Sequence, residues 1–323
     1  MVMPDPASFE AVDLEFGPPL TPEDEGQAVR RIEGRSPWRL AYERIRRDRA
    51  AMIALAIILF MVLLATFAPV IAHVTGHGVN EQFRDTGLTP EGLPKPPSST
   101  FWLGTDDQGR DILVRIAYGA RISLFVGVVA TVLTVTLGTI LGITAAYFGG
   151  LVDTIIARII DIVLSLPYLL FAIALVSVSK PGLRTVILVI AVFGFAAVAR
   201  IVRGQVLSVR EKEYIEASRS LGAGAWRVMF IDILPNVMAQ VIVYLTLLIP
   251  VSIIFEAALS FLGVGIPPPT ADWGQMIAEA QQVYQQAWWF LVFPSIALLM
   301  TTIAFNIFGD SVRDAMDPRF DRF

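Results

Sequence analysis

Cysteine is missing from all 323 residues, which excludes disulfides, thiolate metal sites and cysteine nucleophiles. Lysine is almost as scarce. Only Lys95, Lys180 and Lys212 occur, and none of them ends a G-x-x-x-x-G-K run, so the chain has no P-loop to cradle a phosphate. G-x-S-x-G, H-E-x-x-H and C-x-x-C are absent as well, and catalysis by this chain is not expected. Two histidines, His73 and His77, lie close together but with no further ligand nearby, and a hydrated loop accounts for them better than a metal centre. Charge is also sparse: 17% of the residues are charged against 55% hydrophobic, and the mean hydropathy is +0.63. That balance is foreign to a soluble globular domain.

Long apolar runs take the place of charge. Six are placed near 50–72, 120–146, 155–178, 184–202, 237–262 and 289–309. A helix needs roughly 20 apolar residues to cross a bilayer, and helices are favoured because they satisfy their own backbone groups in lipid. The expected fold is all-α, a polytopic membrane protein with six transmembrane helices occupying 50–323. Before them, residues 1–29 carry seven acids and no base, with several prolines, and are read as a disordered cytoplasmic tail. This is not a secretory signal, which would begin basic and turn apolar. Residues 30–49 reverse the sign with eight arginines and predict a basic amphipathic helix on an anionic leaflet, with Trp38, Leu40 and Tyr42 near the interface. A plain stop-transfer flank predicts the same orientation.

Basic residues orient the spans. Eight precede the first, six lie between Arg200 and Arg227, three follow Asp310, and Arg158 is on the same side, so eighteen stand against seven. Both termini and the 203–236 loop are therefore expected in the cytoplasm.

That loop is patterned. Tyr214, Ala217, Ser218 and Leu221 recur at helical steps opposite Glu213, Glu216 and Arg219, and Gly222 with Gly224 then breaks the helix. A second short run, Ala225 to Leu234, is expected to stop at Pro235. Two short helices on a glycine hinge result. Composition alone leaves two uses open: a docking element for another polypeptide, or an amphipathic connector resting on lipid.

Other features admit two readings each. Gly138 and Gly142 allow close helix approach. Arg158 and Asp161, three residues apart, favour a structural pair over a functional one, and Pro167 predicts a kink in the third span. Glu256 lies deep in an apolar run, either lining a pathway or buried as a structural acid with an arginine partner. In the external segment 73–119, Asp106, Asp107 and Asp111 are expected to form exposed pairs with Arg110 and Arg115. PPPTADWG reads as a stiff external loop.

The 203–236 loop also resembles the cytoplasmic signature of the membrane subunits of binding-protein-dependent ABC importers: EAA, three residues, Gly, nine residues, then I-x-L-P. Glu216, Ala217 and Gly222 match, as do Leu234 and Pro235, while Ser218 stands for the second Ala and Asp232 for the Ile. Three further strings resemble the oligopeptide and dipeptide (peptide/nickel) branch of that family and its C-type permease: LGTDDQGRD with GARIS, EAALSFLGVG with PPPTADWG, and GDSVRDAMDPR. The matches extend over about 70–320 and leave the acidic tail out.

This resemblance implies a type I ABC importer permease fold in a bacterial inner membrane, with an extracytoplasmic helix leading into the second span. It implies half of a translocation pathway for short peptides. The implied partners are a second homologous permease, two cytoplasmic ATPase subunits that bind ATP and Mg, and an extracytoplasmic substrate-binding protein; no cofactor belongs to this chain, and no nucleic acid partner is expected. The coupling residues it implies are Tyr214, Glu216, Ala217, Ser218, Leu221, Gly222, Ala223, Leu234 and Pro235. Gly222 would allow the turn, Glu216 would make polar contacts, and the Ala217/Ser218 side would permit close docking. The competing reading is a self-sufficient secondary carrier or channel, for which internal repeats and midplane charges would be expected.

Overall fold

The computed structural model describes residues 37–317. The acidic stretch 1–29, the start of the basic segment at 30–36 and the last residues, 318–323, lie outside the described residues. The elements are helices: α1 (Pro37–Arg47), α2 (Arg49–Thr66), α3 (Ala68–Thr75), the single turn α4 (Arg84–Gly87), α5 (Ile112–Phe148), α6 (Gly150–Ser165), α7 (Tyr168–Val178), α8 (Leu183–Arg210), α9 (Glu213–Ser220), the single turn α10 (Ala225–Arg227), α11 (Leu234–Phe261), α12 (Trp273–Ala280) and α13 (Trp288–Met316). Among the described residues, extended pairing is limited to isolated bridges such as Thr105 with Asp111.

Among the described residues, five helices are long and apolar enough to cross a membrane: α2, α5, α8, the run Ala225–Phe261 that contains α11, and α13. The expected third span is different. It is two helices, α6 and α7, bent by 92° at Leu166 and Pro167, so the anticipated kink is a full break. Proline has no N–H to donate and disfavours helix in the residue before it, and both residues at the break are extended. The second span also departs from expectation. It begins at Ile112, where the Asp111 carboxylate accepts from the N–H groups of Leu113 and Val114 at 2.8 and 3.3 Å. The external lead-in helix and the span are therefore one rod of 37 residues, about 55 Å long against a hydrocarbon core of about 30 Å.

α5 is the centre of the bundle. Its Gly138 and Gly142 face α8 so closely that a Cβ on Gly138 would meet Val198 Cβ at 2.6 Å, and one on Gly142 the Ala199 carbonyl at 2.8 Å. Side chains there would force the helices apart, so the small pair fixes the seam. α2 lays Ala51, Ala54, Ile58, Met61 and Ala65, one helical face, into the bundle, while Ile53, Leu59, Phe60 and Leu63 point outward. Outward apolar side chains of that kind suit lipid. Where the α1–α2 corner meets the end of α13, Arg44 donates to the carbonyls of Ala315 and Asp317 at 3.1 and 3.2 Å, and Ser311 donates to Asp48 at 2.7 Å. Arg44 thus satisfies carbonyls that the helix end leaves free.

The opposite end of the bundle corrects a further expectation. The acids and arginines of 106–115 do not form exposed pairs; Asp106, Arg110, Asp111 and Arg115 are all buried. Arg110 Nε donates to Asp106 at 2.5 Å, Arg115 Nε lies 3.3 Å from the same carboxylate, and Glu279 of α12 lies 2.9 Å from Arg110 and 3.7 Å from Arg115. His77 is not in a hydrated loop either. It is buried, with Nδ1 2.6 Å from the Asp111 carboxylate and its ring stacked on Phe101, whereas His73 is exposed. Desolvation makes isolated charges so costly that they gather their counter-charges in one place.

α12 closes this end. Trp273 is fully buried and donates through Nε1 to the Ile116 carbonyl at 3.2 Å, and Gly274 sits directly on the Ala257 backbone. Asp272 caps the helix by accepting from Gln275 N–H at 2.8 Å. Burial, with the Glu279 charge adding to it, pushes the Asp272 carboxyl up to about 6. An acid whose folded value is raised contributes stability below the ordinary value near 3.9, and that contribution is lost as pH rises through about 6. Asp272→Asn keeps a capping oxygen and carries no charge. It should therefore be more stable than the parent near pH 8 by on the order of 2 kcal/mol, unfolding at a higher temperature, and show no such advantage near pH 4. Equal melting of the two proteins near pH 8 would remove the buried charge from the account.

Candidate functional site

At the end of the bundle where α5, α8 and α13 finish, the chain leaves α8 and makes the short helix α9. Glu213 and Glu216 in its first turn and Arg219 in its last suit the helix dipole. One side chain, Ile215, is buried; it enters an apolar cluster with Val206, Val209, Val228 and Ile233. The helix then stops in a Schellman turn: Gly222 N–H donates to Arg219 O at 2.9 Å, Ala223 N–H to Ser218 O at 3.1 Å, and Gly222 has φ +85°.

The apolar face anticipated from Tyr214, Ala217 and Leu221 points away from the bundle. Leu221 is 89% exposed, Trp226 71% and Tyr214 45%. Glu216, Ala217 and Pro235 are exposed too, Ala223 and Leu234 pack partly on the apolar cluster, and Ser218 is half-buried. The second helix differs from expectation. It does not stop at Pro235; α10 passes through a π-helical turn, Val228–Ile233, straight into α11. The wide turn loosens the backbone ladder before the proline, and the Asn236 side chain donates to the Asp232 carbonyl at 2.6 Å. On its other flank α9 is tied to α5 by Arg219, 4.7 Å over the Tyr147 ring, while Arg210 at the end of α8 donates to Ala146 O at 2.5 Å.

The charges singled out in the spans lie apart from this element. Arg158 and Asp161 are exposed and 3.9 Å apart; the closer partner of Asp161 is Arg200 of α8 at 2.6 Å. Beside it Arg203 grips Asp153 at 2.5 and 2.7 Å, a bidentate bond between α8 and α6. Arg200 and Arg203, one helical step apart, escaped the sequence reading because their acids lie on another helix. Glu256 is fully buried, and its partners are serines rather than an arginine: Ser123 of α5 at 2.9 Å and Ser260 of its own helix at 3.2 Å. Two turns along the same seam, Thr131 and Ser252 are 2.8 Å apart. Between α11 and α13, on the α9 side, is an open cleft of about 580 Å³ lined by Gln240, Tyr244, Leu247, Arg313 and Asp314 among others.

Long apolar helices around a central rod, with an exposed helical knuckle at one end, define a multi-pass membrane permease. Residues 138–322 match the family described as binding-protein-dependent transport system inner membrane component, and residues 36–90 match the N-terminal TM domain of oligopeptide transport permease C. The chain belongs to this family, the membrane permease subunits of ATP-binding cassette importers. It is 42% identical over 283 residues to the dipeptide transport system permease protein DppC of Bacillus subtilis, spanning 87% of this chain and 86% of that one. The oligopeptide transport system permease protein OppC of the same organism is 42% identical over 88% of this chain and 90% of its own length. The glutathione transport system permease protein GsiD of Pectobacterium atrosepticum is 39% identical over 88% and 92%. Among solved structures, the MetNI methionine ABC transporter in an inward-facing conformation superposes with a TM-score of 0.51 at 19% identity, over 63% of this chain and 96% of the matched chain. The helical fold is shared with it.

Proposed function

We propose that this chain forms half of the translocation pathway of an importer for short peptides in a bacterial cell membrane, with both termini cytoplasmic. The relatives named for dipeptides and oligopeptides support the substrate class. The asymmetry of basic residues supports the orientation, and α1, with Tyr42 62% exposed beside its arginines, suits an anionic leaflet. A second homologous permease completes the pathway, an external binding protein delivers substrate, and two cytoplasmic ATPase subunits bind ATP and Mg²⁺.

One observation carries the reading: Leu221, Trp226 and Tyr214 stand exposed on a knuckle anchored from beneath by Ile215. Large apolar side chains held out at a loop apex mark a protein contact. The role of this chain is then mechanical. Closure of the ATPase pair pushes on α9, and the push reaches the spans through the contacts of Ile215 and the run into α11.

The test is co-purification from native membranes, with hydrolysis and uptake assayed for the parent and Gly222→Arg. A Cβ at Gly222 meets open space, so the substitution costs about 1–2 kcal/mol of left-handed strain while putting a bulky cation at the apex. We expect an ATPase subunit to accompany the parent, and the variant to release it or to hydrolyse ATP without uptake. A chain that purifies alone and moves peptide in liposomes without ATP is a self-sufficient carrier, and the proposal fails.

A further inference from the structure

Two residues of the knuckle depart from the importer signature, and the fold brings them together: the Ser218 hydroxyl donates to Asp232 Oδ2 at 2.8 Å. Ser218 lies on the last turn of α9, and Asp232 in the π-helical turn that opens into α11. The covalent path between them runs through Gly222 and Gly224, both with open space where a side chain would be. The Schellman turn orders the chain as far as Ala223, which leaves Gly224 as the freest joint between α9 and α11. Ile215 supplies an apolar anchor, which is non-directional. The hydrogen bond is directional, and among the described residues no second side-chain hydrogen bond joins α9 to the 225–261 run. Beyond Asp232 the path continues, since the backbone carbonyl of that residue accepts from Asn236 in the first turn of α11.

We infer that the Ser218–Asp232 hydrogen bond is a latch that fixes α9 to the start of α11 and passes ATPase motion into that span. The inference rests on the permease reading above. Both residues are positioning residues: they act through α9, and neither touches substrate. The latch also explains the paired departures. A serine in place of alanine supplies the donor, and an aspartate in place of isoleucine the acceptor.

The test is a double-mutant cycle on the reconstituted complex of both permeases, ATPase and binding protein, reading ATP hydrolysed per peptide imported alongside retention of the ATPase. Ser218→Ala and Asp232→Ala are each expected to raise that ratio about tenfold, the factor that loss of one hydrogen bond to a charged group commands, with the ATPase retained. The double variant is expected to be no worse than either single one, because both remove the same bond. Asp232→Asn, which keeps an acceptor for the hydroxyl, is expected to stay near the parent. Additive effects in the double variant, or unchanged coupling in all of them, overturn the latch. A parent complex that holds no ATPase overturns the permease reading instead, and the latch with it, so the two failures are distinguishable.

Discussion

Asp106→Ala is expected to leave almost no folded protein in the membrane. The Asp106 carboxylate is fully buried and accepts from Arg110 Nε at 2.5 Å and from the N–H groups of Gln108 and Arg110, both at 2.9 Å, with Arg115 Nε 3.3 Å away. Truncation would leave two buried guanidinium groups facing each other, with only the more exposed carboxylates of Glu279, 2.9 Å from Arg110 and 3.7 Å from Arg115, and Asp107, 3.7 Å from Arg110, to offset them. The assembled cluster need not be worth much, since desolvation offsets most of the attraction. Breaking it is another matter: an uncompensated buried charge costs about 3–5 kcal/mol, against a total stability of about 5–15 kcal/mol. The lost backbone acceptor adds about 1–3 kcal/mol. Asp106→Asn should fall between, because it keeps an oxygen for the two N–H groups and loses the charge. Adding Arg115→Met to Asp106→Ala should recover part of the loss by removing one stranded cation. Membrane yield and melting in detergent decide the matter. An Asp106→Ala protein that accumulates and melts like the parent would mean that water reaches the cluster and solvates the stranded arginines.

That cluster was beyond the reach of sequence for a definite reason. Asp106 and Arg110 lie just before α5 and Arg115 in its first turn, next to a stretch rich in proline and glycine where charges are ordinarily solvated. Their distant partner is Glu279, 169 residues away from Arg110, arriving on α12. Local periodicity does carry information where the partner is the bilayer or the helix itself. The six apolar runs, the Gly138/Gly142 pair and the stop at Gly222 were all legible, because each depends on backbone chemistry within a few residues. Which helix receives Gly138 was not. Proline shows the boundary well. Pro167 stands at a 92° break, Pro235 opens α11, and Pro250 and Pro294 lie inside continuous helices. One residue type gives three outcomes because a proline frees a carbonyl that lipid cannot hydrate, and the outcome depends on which neighbour satisfies it. The same limit hid the meaning of Ser218 and Asp232, which read as two unrelated departures until the fold paired them.

Leu221→Asp is expected to abolish uptake without disturbing the fold. Leu221 is the C-cap residue of α9 and 89% exposed, so an aspartate there meets the negative end of the helix dipole at a cost of about 0.3–1 kcal/mol, too little to unfold the chain. Its side chain packs on little of its own protein, so what it contributes lies outside this chain. If the knuckle docks in an apolar groove, burying leucine is worth about 1.5–3 kcal/mol, and an aspartate there must be desolvated as well. A combined loss of about 4 kcal/mol weakens the ATPase contact by roughly a thousandfold. The variant should therefore insert and melt like the parent, lose its ATPase on purification, and import no peptide. The alternative use of this face, lying on lipid, predicts something different. There an aspartate would lose a single apolar contact with the interface, and the ATPase would stay bound. Retention of both ATPase and uptake by Leu221→Asp would assign the exposed face to the membrane and leave the coupling role to another surface. The decisive quantity is the ratio of the two losses, because a folding defect lowers yield and uptake together whereas a docking defect lowers uptake at constant yield.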